Sequence, residues 1–183
     1  MRIEKKLKWI KRLAQKRDEE NWKFRSYLKQ SDIGRGELDA VVHRIVTEVT
    51  SQIDCTECGN CCKEMRPVLD EDDVEEFCVG LKATVSSFRE EYLVEDETPS
   101  KYIFNEQPCP FLKGKVCSNY EHRPKDCRSY PHLQKADFIS RLWGVVDNYA
   151  VCPIVFNSYE QLKAELWKKD EWEDADFYGL LWG

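Results

Sequence analysis

Apolar positions recur at helical spacing through much of the chain. Ile3, Leu7, Ile10 and Ala14 fall on one face, and Phe24 and Leu28 resume nearly the same phase, so residues 1–30 read as one helix. The stretch "SDIGRGE" interrupts it with two glycines and offers Ser31 or Asp32 as capping residues. The clearest helix spans 37–51, where Leu38, Val41, Val42, Ile45, Val46 and Val49 form a continuous apolar stripe. After a short extended piece at "RPVL", Asp70 is placed to cap a helix. Its first turn carries Glu71, Asp72 and Asp73, acids suited to the positive end of the helix dipole. Val74, Phe77, Cys78 and Leu81 share its inner face, and Thr84 or Ser86 opens a further helix to Leu93.

Later segments are less periodic. "KYIFN" reads as a strand, and "RLWGVVDNYAVCPIVF" predicts another; residues 159–169 read as a helix with Leu162, Leu166 and Trp167 inward. Between them, "PCPFLKGKVCSNYEHRPKDCRSYP" is punctuated by proline and glycine and predicts little regular structure. The expected fold is mainly α, with irregular cysteine-rich metal-binding loops and at most a small β element. Three segments are expected: a basic helical arm over 1–35, a cysteine-cluster domain over 36–165, and an acidic aromatic tail over 166–183.

Charge sharpens the picture of the first segment. The 183 residues carry a net charge of −6, yet residues 1–17 hold Arg2, Lys5, Lys6, Lys8, Lys11, Arg12, Lys16 and Arg17 against Glu4 alone, a local charge of +7 that leaves −13 elsewhere. The acidic balance argues against nucleic acid as a general partner. The basic helix suits docking on the acidic tail around Asp170–Asp176, a partner protein, or an anionic surface. Lysines and arginines interrupt every apolar pair near the start, so no secretory h-region is expected there, and no apolar run approaches the roughly 20 residues of a transmembrane segment. A cytoplasmic location follows as the expectation, and thiols stay reduced there.

Against that background the nine cysteines stand out. "CTECGNCC" places Cys55, Cys58, Cys61 and Cys62 in eight positions, and Cys109, Cys117, Cys127 and Cys152 follow in loop-like contexts. A C-x2-C turn lets two thiolates converge on one ion while the backbone between them donates N–H groups to sulfur. Four thiolates complete a tetrahedral zinc site or hold a 4Fe–4S cluster; a disulfide scaffold is the alternative in an oxidising compartment. In an extended chain the adjacent Cys61 and Cys62 would point to opposite faces. Cys61 would then continue the arc of Cys55 and Cys58, and Cys62 would turn toward the later thiols. Cys78, on the apolar helix face, reads as a core thiol.

These residues resemble the CxxCxxCC cysteine-cluster family, the YkgJ-like zinc- or iron-chelating proteins. The resemblance spans about residues 53–153. Its motifs are "CTECGNCC", Cys109-Pro110-Phe111-Leu112, Cys117, Tyr120-Glu121, Arg123-Pro124, Cys127-Arg128, Tyr130-Pro131 and a last Cys152-Pro153. It implies that Cys55, Cys58, Cys61, Cys62, Cys109, Cys117, Cys127 and Cys152 ligate metal as two zinc sites or as one cluster with supporting thiols. Arg123, Arg128 and Tyr130 match the motif as well; guanidinium donors there would compensate an anionic thiolate site or bind an anion. Flagellin lysine N-methylases are similar through a comparable cysteine cluster. Two functional classes therefore stay open: a metal-binding protein for storage, delivery, electron transfer or interaction, and a metalloenzyme such as an S-adenosylmethionine-dependent methyltransferase.

Overall fold

The structure, a computed structural model, describes residues 3–167. Residues 168–183, most of the expected acidic tail, lie outside the described residues. Helices α1 (Leu7–Lys16), α2 (Asp18–Gln30) and α3 (Arg35–Thr50) precede a 3-10 turn at Cys55–Glu57 and the short helix α4 (Cys61–Glu64). Strand β1 (Val68–Leu69), α5 (Glu71–Leu81), α6 (Val85–Tyr92), β2 (Leu93–Glu95) and β3 (Tyr102–Phe104) come next. The chain continues through β4 (Leu112–Lys113), β5 (Val116–Cys117), α7 (Lys125–Ser129), a 3-10 turn at Phe138–Arg141, α8 (Leu142–Asn148) and α9 (Pro153–Leu166). The fold is mainly α, with two small antiparallel sheets ordered β1-β3-β2 and β4-β5.

The described residues form two compact units: residues 3–53 with 133–167, and residues 54–132. In the first, α3 packs on α9, α2 on α8, and α1 on both α2 and α9. The α3 stripe is the expected one, with Leu38, Val42, Ile45 and Val49 fully buried. The helix expected over 1–30 breaks at Arg17, whose φ of −108° and ψ of 15° leave the helical region. Asp18, Glu19 and Glu20 then give α2 an acidic first turn of its own. Both halves bury an apolar face: Ile10 from α1, Phe24 and Leu28 from α2. Asn157 holds the start of the chain in place. Its Oδ1 accepts from the Glu4 N–H at 2.9 Å, and its Nδ2 donates to the Glu4 carbonyl at 2.8 Å.

The run expected as a strand around 141–156 is helical instead, forming α8 and the start of α9. Pro153 occupies the first turn of α9, where its missing N–H costs nothing. Ile154, Val155 and Phe156 are all buried, and a helix buried on every side shows no helical period to distinguish it from a strand.

α9 also buries a charge. Lys163, with a side chain 5% exposed, reaches Glu20 at 2.9 Å and Asn21 Oδ1 at 3.0 Å and pairs with Glu160. Glu160 also takes Arg17 and accepts from the Tyr149 hydroxyl at 2.6 Å. Every charge in the group has an opposite partner, which offsets the desolvation of the ammonium.

In the second unit, β3 pairs with β1 (Val68 opposite Ile103) and with β2 (Leu93 opposite Phe104). Asp70 caps α5 as the sequence indicates: it accepts from Asp73 N–H at 2.9 Å, and Asp73 returns a bond to the Asp70 N–H at 3.3 Å. Thr84 caps α6, accepting from Ser87 N–H at 3.2 Å. The core gathers Val74, Phe77, Phe88, Phe104 and Phe111, with Cys78 buried among them.

Replacing Lys163 with methionine removes the buried cation that the half-buried Glu20 and Glu160 carboxylates share. Lys163→Met should lower stability by about 2 kcal/mol, the order for losing hydrogen bonds to a charged group, because Glu160 keeps Arg17 and both carboxylates retain contact with water; chemical denaturation measures it. An unchanged unfolding midpoint would show that the network contributes no net stability.

Candidate metal centre

The three later cysteine segments are tied to one side of α5. Residues 73, 76, 77 and 80 follow the i, i+3, i+4, i+7 spacing that puts them on one helix face. Asp73, itself buried, accepts from the Lys125 N–H at 2.8 Å and so fixes the first turn of α7, which carries Cys127. The Lys125 ammonium adds bonds to Asp70 at 3.1 Å and Asp72 at 3.0 Å. The Phe77 carbonyl accepts from Asn119 Nδ2 at 2.9 Å, and Glu76 meets His122 Nδ1 at 2.6 Å. The Phe77 ring lies 4.8 Å from the Phe111 ring, edge-on, next to the Cys109 turn. Gly80 leaves room for this approach: a Cβ there would fall 2.0 Å from Asn119 Oδ1 and 2.5 Å from the His122 ring.

The CxxCxxCC loop joins the same region through its backbone. Asp54 caps the 3-10 turn, accepting from the Thr56 N–H at 2.8 Å and hydroxyl at 2.6 Å. Gly59 takes a φ of +61°, and a Cβ on it would stand 2.7 Å from the Lys115 carbonyl, so only glycine lets the loop meet the β4–β5 turn this closely. The Cys62 carbonyl accepts from the Cys109 N–H at 2.8 Å, and the Lys63 carbonyl from Gln107 Nε2 at 3.1 Å.

Cys61 and Cys62 are not extended, contrary to the sequence expectation. They begin α4, where successive side chains turn by roughly 100° rather than 180°. Their thiols consequently reach each other: Cys61 donates to the Cys62 sulfur, and that bond, with the Cys62 N–H and the Arg123 charge, outweighs burial and holds the Cys62 pKa down to about 7.

Electrostatics show which thiols are neighbours. Burial first, then the charges of Cys62 and Cys117, push Cys109 up to about 11, against N–H donation from Phe111 and Leu112. Burial and the charges of Cys62, Cys109, Asp126 and Cys117 push Cys127 up to about 12. Cys117 is raised by burial and Cys62, although Asn119 N–H donates to its sulfur at 3.4 Å. Cys62, Cys109, Cys117 and Cys127 thus form one group drawn from separate loops. Cys55 is an exposed residue whose thiol is raised by partial burial, then by Cys58 and Asp54, so Cys55 and Cys58 form a second neighbourhood. The Arg123 charge acts on Cys55, Cys62 and Cys117, and its guanidinium lies 3.5 Å over the Tyr120 ring.

Among the described residues, no three Cys, His, Asp or Glu side chains already stand at coordinating distance from one point. The donor set nonetheless suits a soft metal: four neighbouring thiols, N–H donors on three sulfurs, and a guanidinium nearby. Grouping ionised thiols is unfavourable by itself, and a cation removes that repulsion.

Of the other residues singled out from the sequence, Cys152 is buried in the helical unit, just before α9. Arg128 is exposed on α7, and Tyr130 sits edge-on to His132 at 5.8 Å. His132 in turn meets Ser129 Oγ at 2.9 Å and Asp126 at 3.3 Å. Cys78 is 3% exposed in the aromatic core, as its helical phase predicts. Sequence reasoning missed Asp73, Glu76, Gly80 and Asn119. A glycine inside a helix costs about 1 kcal/mol relative to alanine, and Gly80 was the one readable sign of a close approach.

The family model CxxCxxCC, described as a "putative zinc- or iron-chelating domain", matches residues 54–145. No curated protein and no solved structure matches the chain.

Gly80→Ala tests the α5 scaffold. Alanine favours the helix by about 1 kcal/mol, yet its Cβ would displace Asn119. Net destabilisation of about 1–2 kcal/mol is expected, with weaker metal retention in a chelator competition. Asn119→Ala in the Gly80→Ala background should recover part of the stability but not the retention. A Gly80→Ala protein as stable and as metal-retentive as the parent would contradict the arrangement.

Proposed function

We propose that this chain, which belongs to the CxxCxxCC family, holds a metal centre on the thiolates of Cys62, Cys109, Cys117 and Cys127, and that the centre is an iron–sulfur cluster. Metal binding is the class that the family's zinc- or iron-chelating description carries. The observation behind the ligand set is that each of Cys109, Cys117 and Cys127 feels the charge of Cys62, although the four come from separate stretches of the unit. The iron–sulfur reading draws on the N–H donors to the sulfurs of Cys62, Cys109 and Cys117, since such hydrogen bonds tune these centres. Zinc is the second reading, since four thiolates also form a complete tetrahedral site.

The residues around the thiols have separable tasks in this reading. The Phe111, Leu112 and Asn119 N–H groups stabilise thiolate at Cys109 and Cys117, and Arg123 offsets negative charge at Cys62 and Cys117. Cys61 donates to Cys62, and the Cys55–Cys58 pair stands beside the four as a second group of thiols. A cluster would supply one-electron chemistry there, whereas zinc would supply cross-linking of the loops.

Protein purified without oxygen or chelator should contain iron and acid-labile sulfide in near-equal amounts and show visible absorbance that bleaches on reduction. Colourless protein with stoichiometric zinc would select the second reading, and neither metal would overturn both. In the same assay Cys62→Ser should lose the metal. Cys78→Ala should retain it at a stability cost of about 1 kcal/mol, typical of a small core truncation.

A further inference from the structure

The outer face of α1 combines cations with an exposed tryptophan. At roughly 100° per residue, Lys8, Trp9, Arg12 and Lys16 fall within one arc, on the side away from the fully buried Ile10, with Lys11 at its rim; Lys5 and Lys6 are exposed in the extended residues that lead into the helix. Trp9 is 48% exposed, and the Arg12 guanidinium lies 5.5 Å from its ring centroid. Residues 5–17 contain no acid. Glu4, which precedes them, has its carboxylate engaged in accepting from the Lys6 N–H at 2.8 Å.

This face is held in a fixed orientation. Ile10 is sealed on the inner side, and the paired bonds between Asn157 and Glu4 anchor the segment leading into the helix. The apolar stripe that would let a free amphipathic helix sink into a bilayer is therefore already used, and what remains outward is charge plus one indole.

We infer that the outer face of α1 is a docking surface for an anionic lipid membrane, with Lys8, Arg12 and Lys16, and Lys5 just ahead of the helix, meeting headgroup phosphates and Trp9 lodging at the interface. Charge complementarity selects an anionic occupant, and lysine or arginine near such a surface is attracted within a Debye length. Tryptophan beside such cations selects the bilayer, because an indole is favoured at headgroup depth. Single-stranded nucleic acid would need a groove with several stacking aromatics; here one convex helix offers one ring. The −13 carried outside residues 1–17 also opposes a polyanion that wraps the molecule, whereas a flat surface need meet only the α1 face. Attachment is peripheral, as no helix among the described residues is long and apolar enough to cross a membrane.

The full-length protein should co-sediment with vesicles containing one-third phosphatidylglycerol at low salt. Binding to pure phosphatidylcholine vesicles should be at least tenfold weaker, and 0.5 M sodium chloride should release the protein. Lys8→Glu with Arg12→Glu should abolish binding while leaving the circular dichroism spectrum and metal content unchanged. Trp9→Ala should weaken it several-fold without changing the salt dependence. Absence of sedimentation with anionic vesicles, or equal binding by the charge-reversed variant, would overturn the assignment. Preferential binding to single-stranded RNA or polyglutamate over vesicles in direct competition would overturn it as well.

Discussion

One face of α5 is the constraint on which the metal centre depends. Cys109, Cys117 and Cys127 lie in segments with almost no regular structure, too short to hold their own shape. Asp73 fixes the backbone before Cys127, the Phe77 carbonyl fixes Asn119 after Cys117, and the Phe77 ring packs on Phe111 after Cys109. Gly80 matters by having no side chain, because Asn119 and His122 fill the space a Cβ would need. A single rigid helix thereby sets the positions of three otherwise independent loops. The aromatic core beneath it, with Phe88 and Phe104 also against Phe111, resists collapse of that arrangement.

The same arrangement stores an electrostatic conflict. Burial and mutual charge raise Cys109, Cys117 and Cys127, so the group resists ionising together in the absence of a cation. Cys62 runs the other way, favoured as thiolate by Cys61 and, more weakly, by Arg123. The scaffold gathers soft donors while their charge remains uncompensated, which is the condition under which binding metal and completing the fold become one event. Arg123 links the two thiol neighbourhoods, since its charge also reaches Cys55.

How much of this was readable depends on the range of the interaction. The α3 stripe, the Asp70 cap with its acidic first turn and the core placement of Cys78 rest on neighbours within a turn or two, and the chain carries them openly. The thiol inventory was equally plain. The break at Arg17 was hidden because apolar phase nearly resumes across it, and the start of α9 was hidden because burial on every side erases periodicity; α8 keeps a helical pattern, with Leu142, Val145 and Val146 inward and Trp143 exposed, but over only two turns. Cys61 and Cys62 were misread as extended for want of any sign that Asn60 starts a helical turn. The roles of Asp73 and Glu76 could not be read either: both look like solvated acids near a helix start, and their partners lie 52 and 46 residues away.

The central claim is that Cys62, Cys109, Cys117 and Cys127 act as one ligand set. Residue-resolved alkylation, read by mass spectrometry on metal-loaded protein before and after chelation, addresses it directly. The account predicts that these four thiols are protected together in the loaded protein and become reactive together when metal is removed, while the exposed Cys55 reacts in both states. Alkylation of any of the four in the fully loaded protein, or protection that moves with Cys55 and Cys58 instead, would contradict it.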